Sequence, residues 1–98
     1  MKYEKSSGNV FADMGFDPEV AAVMKIKAEL KIALEKEIKR RNLTQAQAAE
    51  LVGTTRPALN RILTGKLDKL SIDKMVQMHH RLGKQVTVKV TQSRKAAA

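Results

Sequence analysis

The 98 residues contain no cysteine and no tryptophan. Without thiols the chain has neither a disulfide framework nor a thiolate metal site. Aromatic residues make up only 3% of the sequence, so its core must be built from aliphatic side chains and its five methionines. No apolar run approaches the length of a bilayer-spanning helix. The first eight residues lack the apolar stretch of a secretion signal. A cytoplasmic protein with no membrane partner is the simplest expectation. Catalytic equipment is missing too. There is no Ser/His/Asp arrangement, no phosphate-cradling glycine loop and no close carboxylate pair, so neither an enzyme nor a cofactor is expected. A chain of this size forms one small domain with a thin stability margin, for which dimerisation is a common remedy.

What the chain has in excess is positive charge. Nineteen Lys and Arg stand against ten Asp and Glu, a net charge of +9. That balance suits a polyanionic partner, although it also serves solubility.

The sequence is organised around residues 44–65. Thr44 precedes a helical pattern and Gln47 follows three residues later, which is a capping box. Ala48, Leu51 and Val52 recur at helical spacing and predict one apolar stripe. Gly53 fits a helix stop. A second helix follows at once, with Thr55 as cap, Pro57 in its first turn, Leu59, Ile62 and Leu63 facing inward, and Gly65 at its end. Two short helices joined by a tight glycine turn form a helix-turn-helix, whose second helix can enter a DNA major groove. Its outward positions are Arg56, Pro57, Asn60, Arg61 and Thr64. Arginine and asparagine can make bidentate contacts to guanine and adenine edges.

This run resembles the Cro/repressor-like helix-turn-helix proteins, or XRE family. Asn9-Val10-Phe11-Ala12-Asp13-Met14-Gly15-Phe16 is similar to the opening of a HigA-like antitoxin-type subgroup. Leu70-Ser71-Ile72-Asp73-Lys74-Met75 and Arg81-Leu82-Gly83-Lys84-Gln85-Val86-Thr87-Val88 are similar to its ending. The resemblance covers roughly residues 9 to 90. It implies a mainly α, lambda-repressor-like helical bundle that represses its own operon by binding operator double-stranded DNA. It also implies pairing with a RelE/HigB-like toxin. Base contacts map onto Arg56, Pro57, Asn60 and Arg61. Backbone phosphate contacts are expected from Thr44 and Gln45 at the first helix start, and from Thr54, Thr55 and Lys66 flanking the second. Where the subgroup often has Gln before the proline, this chain has Arg56, which fits guanine or a phosphate. For Arg61, base contact, phosphate contact and an ion pair all remain open. Two alternatives stand beside the antitoxin: a repressor without a toxin, and an interaction module using the helix-turn-helix as scaffold.

The remaining segments frame this unit. Residues 1–17 read as an N-terminal arm, whose Val10, Phe11, Met14 and Phe16 form either a lid on the core or a docking segment. Residues 18–84 read as the helical DNA-binding domain. Asp17-Pro18-Glu19 is a helix start, and Val20, Val23, Met24, Ile26, Leu30, Ala33, Leu34 and Ile38 keep a helical period to Arg41, as one long helix or two. Glu35 and Glu37 diverge and are assigned to solvent. Arg40 and Arg41 lie where cations favour the negative helix end. Ser71 caps a last helix with Ile72, Met75, Val76, His79 and Leu82 on one face. His79 is expected to be partly buried and His80 solvated, with no metal between adjacent side chains that point about 100° apart. Gln85-Val86-Thr87-Val88-Lys89-Val90-Thr91 alternates and predicts a half-buried strand over 85–91. It requires a partner: residues 8–12, the same strand of a second subunit in a homodimer, or another protein's sheet edge. Residues 92–98 read as a disordered basic tail.

Overall fold

The computed structural model describes residues 9–92. The first eight residues of the N-terminal arm, and all but Gln92 of the basic tail, lie outside them. Five helices follow in order: α1 (Val10–Asp13), α2 (Pro18–Arg40), α3 (Gln45–Val52), α4 (Arg56–Leu63) and α5 (Ile72–Arg81).

Each start is fixed locally. The side chains of Asn9, Asp17, Thr44, Thr55 and Ser71 each accept backbone N–H groups in the first turn that follows, which satisfies donors with no intrahelical partner. Pro18 and Pro57 lie within the first two helical positions, where a missing N–H costs nothing. The single-helix reading of residues 18–40 holds.

The ends are equally local. At Gly53 the backbone turns left-handed at φ 81°, and the Thr54 N–H reaches back to the Ala49 carbonyl at 2.9 Å. A side chain is disfavoured there by the backbone, and the flexible Arg81 side chain would also have to shift. The conformation is strained for a residue with a Cβ, and that atom would lie 2.9 Å from the Arg81 guanidinium. Helix α2 ends in the same way without a glycine. Asn42 takes φ 58°, the Leu43 N–H bonds the Ile38 carbonyl at 3.1 Å and the Asn42 N–H bonds that of Lys39 at 3.0 Å. Asparagine is the residue that best tolerates this role after glycine.

Helix α5 packs on α2 and α3, and α3 on α4. The core joins Leu34 and Ile38 of α2, Ala48, Ala49 and Val52 of α3, Leu59 and Ile62 of α4, Leu67 of the following loop, and Met75, Met78 and Leu82 at α5. Among the described residues it contains no aromatic ring, in keeping with the composition. Both phenylalanines lie outside it, where Phe11 meets Phe16 edge-on with centroids 5.9 Å apart. Helix α1 packs beside the start of α2, with Asn9 Nδ2 donating to the carbonyl of the buried Ala21 at 2.8 Å, so it lies at that end of α2 and outside the main core cluster.

Four expectations change. Glu37 is not in solvent. It is buried, and its carboxylate takes Arg40 and Arg41 at 2.6 Å and Lys84 at 3.4 Å. Side-chain hydrogen bonds from Arg40 and Arg41 hold its carboxyl down from 4.5 to about 2. Arg41 also donates to the Leu82 carbonyl, so this cluster ties the end of α2 to the end of α5. Secondly, Ala49 joins Ala48 and Val52 in the core, and Leu51 is left exposed. Thirdly, Val20, Val23 and Ile26 are exposed, while Lys27 on the same helix is buried. The fourth is the strand over 85–91. Among the described residues no strand forms, and Val88 and Val90 are 84% and 90% exposed. The physical reason is a missing partner: residues 10–13 are helical and offer no edge. His79 is buried, with Nε2 at 2.9 Å from the Leu30 carbonyl, and His80 is exposed.

Candidate nucleic-acid interface

Helices α3 and α4 form the pair expected at 44–65. Thr44 Oγ1 accepts the Gln47 N–H at 3.1 Å, and Gln47 Oε1 accepts the Thr44 N–H at 2.9 Å. Thr55 Oγ1 accepts the Ala58 N–H at 3.2 Å and sets the angle at which α4 departs. The buried Leu59 and Ile62 press one side of α4 into the core. Geometry then forces the other side outward.

Arg56, Pro57, Asn60 and Arg61 are all exposed on that outer face. Arg56 and Arg61 meet no carboxylate among the described residues. Gln45 Nε2 donates to Asn60 Oδ1 at 3.3 Å, linking the start of α3 to the outer face of α4. Asn60 keeps its Nδ2 donors free among the described residues. An asparagine steadied through its oxygen and open at its nitrogen suits a hydrogen-bonding edge. Thr64 is less available: its hydroxyl reaches the Asn60 carbonyl at 2.9 Å and that of Arg61 at 3.0 Å.

The residues expected to touch phosphates surround this face. Thr44, Thr55 and Lys66 are exposed, and Thr54 and Gln45 are half-buried. The Thr44 and Thr55 oxygens are occupied as caps, which leaves their hydroxyl hydrogens to donate. On the flank away from Gln45, Arg61 and Lys66 share a pocket with Lys69 and Lys74. Neither Lys69 nor Lys74 stands out in the sequence as a site residue. One lies in a loop and the other at the start of α5, and only packing brings them beside α4.

A helix-turn-helix domain family matches residues 10–91. Among solved structures, a chain provisionally described as an XRE family transcriptional regulator has the same fold at a TM-score of 0.68. It is 25% identical, and the match covers 78% of this chain and 85% of that one. No curated protein matches the sequence.

Proposed function

The chain belongs to this helix-turn-helix domain family, and from that we propose that it is a sequence-specific DNA-binding regulator that represses its own operon. DNA-binding transcription regulation is what the family and the solved neighbour support. The observation carrying the finer reading is the outer face of α4, where Arg56, Pro57, Asn60 and Arg61 stand exposed with no carboxylate among the described residues to neutralise the arginines. In this reading these four meet base edges, while Thr44, Gln45, Thr54, Thr55 and Lys66 hold the backbone.

A homodimer completes the interface. Residues 85–91 carry three alternating valines and a row of ladder groups without a strand partner among the described residues. Pairing with the same segment of a second copy would satisfy both, and a two-fold axis can set two recognition helices about 34 Å apart on one DNA face. A monomeric mass at micromolar concentration in sedimentation would overturn it.

The regulator acts as the antitoxin for a RelE/HigB-like toxin. The exposed Val10, Met14, Phe16, Val20 and Val23, on α1, the turn after it and the start of α2, favour a protein partner there. Copurification with the product of an adjacent reading frame encoding a small basic RelE-like protein tests this. A gene with no such neighbour points instead to the repressor without a toxin.

The test of the main reading is binding to DNA upstream of the chain's own gene, against random duplex of equal length, at two salt concentrations. Preference for the upstream DNA should survive the higher salt. Arg56→Ala and Arg61→Ala should each cost about 1–3 kcal/mol on the preferred site and much less on random DNA if they read bases. Equal, salt-labile binding to both duplexes would leave only charge attraction and overturn the sequence-specific reading.

A further inference from the structure

Four cations gather where sequence gives no reason for them to meet. Arg61 of α4, Lys66 and Lys69 of the following loop, and Lys74 of α5 line one pocket of about 230 Å³. Ala58, Ile62, Leu70 and Met78 supply its apolar lining, and no carboxylate of the described residues lines it. None of the four is ion-paired among the described residues, although five other cations are. Like charges drawn round one opening repel unless an anion sits between them.

The loop that brings two of them is fastened from behind. Lys27 is 9% exposed, and its Nζ donates to the Leu67 carbonyl at 3.1 Å, a contact 40 residues apart in sequence. The Leu67 side chain is itself buried. With the loop pinned at Leu67, Lys66 and Lys69 line the cationic pocket, while Asp68 lies with Lys27 and Val20 in a different groove. Burying a lysine to hold one carbonyl is costly. Its effect here is to sort the loop's charges, cations to one side and the acid to the other.

We propose that this pocket is a phosphate-ester site, with Lys69 and Lys74 as ligands beside Arg61 and Lys66, and with Lys27 as the positioning residue behind them. The lysine ammonium groups take the phosphate, Arg61 stays on the base-reading side of them, and the sugar face of a nucleotide lies on the half-buried Leu70. The proposal rests on the DNA-binding reading, since a backbone diester of DNA lying on α4 is the nearest source of such a group. A free nucleoside monophosphate carries the same chemistry, and the experiment separates the two.

The full chain, the double variant Lys69→Gln/Lys74→Gln, Lys27→Met and Arg56→Ala are titrated with upstream and random duplexes over a salt series. The double variant should weaken both duplexes by the same factor, keep the preference between them, and lower the salt slope by about 1.8, as expected for two lost phosphate contacts. Lys27→Met should lower the slope in the same direction while still folded by its circular-dichroism melt. A packing role alone would lower Tm and leave the slope. An unchanged slope in the double variant, with Arg56→Ala still impairing binding, overturns the pocket and leaves the DNA reading intact. If the native chain binds no duplex, the DNA reading fails. Deoxyadenosine monophosphate then decides the pocket alone: a Leu70 methyl NMR shift that vanishes in the double variant upholds it, and no shift overturns it.

Discussion

The two halves of α2 are one unbroken helix with one apolar period, yet they live in different environments. In the C-terminal half Leu34 is 1% exposed and sits in the core, and even the charged Glu37 is buried. In the N-terminal half Val23 is 41% exposed, and Val20 and Ile26 stand open beside it. The difference is one of length. At 1.5 Å per residue α2 runs for about 35 Å, while the ten-residue α5 that covers it runs for about 15 Å. His79 reaches Leu30 and Lys84 reaches Glu37, so α5 spans the second half and stops. Among the described residues the first half has the short α1 beside it, with Lys27 tied to Leu67 and Asp68 sharing a groove with Val20 and Val23. A helical period therefore tells which residues share a face, and the neighbour's length tells which of them are covered.

The sharpest way to break this contrast is Leu34→Ala. It leaves a cavity in a filled core and should cost about 2–5 kcal/mol, read from the midpoint of urea unfolding. Next comes Glu37→Gln, whose effect depends on pH. Because the folded carboxyl is held down from 4.5 to about 2, folding favours the carboxylate. Its contribution is fully present above 4.5 and is lost as pH falls through the interval to about 2. The variant should be less stable than the native chain at neutral pH, with the gap closing on acidification. A gap that stays constant across that interval would show that the charge of Glu37 plays no part. The smallest effect belongs to Val23→Ser, which should stay within about 0.5 kcal/mol in the isolated subunit. A loss that appears only at high protein concentration would mean that a second copy covers this half in solution.

Much of the fold was legible because its punctuation is local. Thr44 with Gln47, Thr55, Ser71 and Asp17 with Pro18 act within three or four residues of themselves, so neighbours in sequence suffice to identify them. The left-handed turn at Gly53 is of the same kind. Asn42 is an equally local stop, and asparagine after a run of Lys and Arg was the signal available for it. The outer face of α4 was legible for a related reason, since the buried positions Leu59 and Ile62 fix which residues point away.

Other features depended on partners far along the chain. Glu37 reads as solvated because nothing within a helical turn shows that Lys84 and the Leu82 carbonyl close over it. Nothing beside Lys27 in sequence marks it for burial, because its acceptor lies 40 residues on. The alternation over 85–91 specifies two faces, but a strand needs a second strand, and the described residues of one subunit hold none.

Sequence by itself determined where α2, α3, α4 and α5 begin, the aliphatic and methionine core, and which side of α4 faces out, because capping and periodicity act over a few residues. Tertiary structure alone decided which half of α2 is covered, that two charged side chains are buried, and that Arg61, Lys66, Lys69 and Lys74 surround one pocket. Those outcomes depend on how far each helix extends along its neighbour and on which distant group meets each charge, and no short stretch of sequence contains that distance.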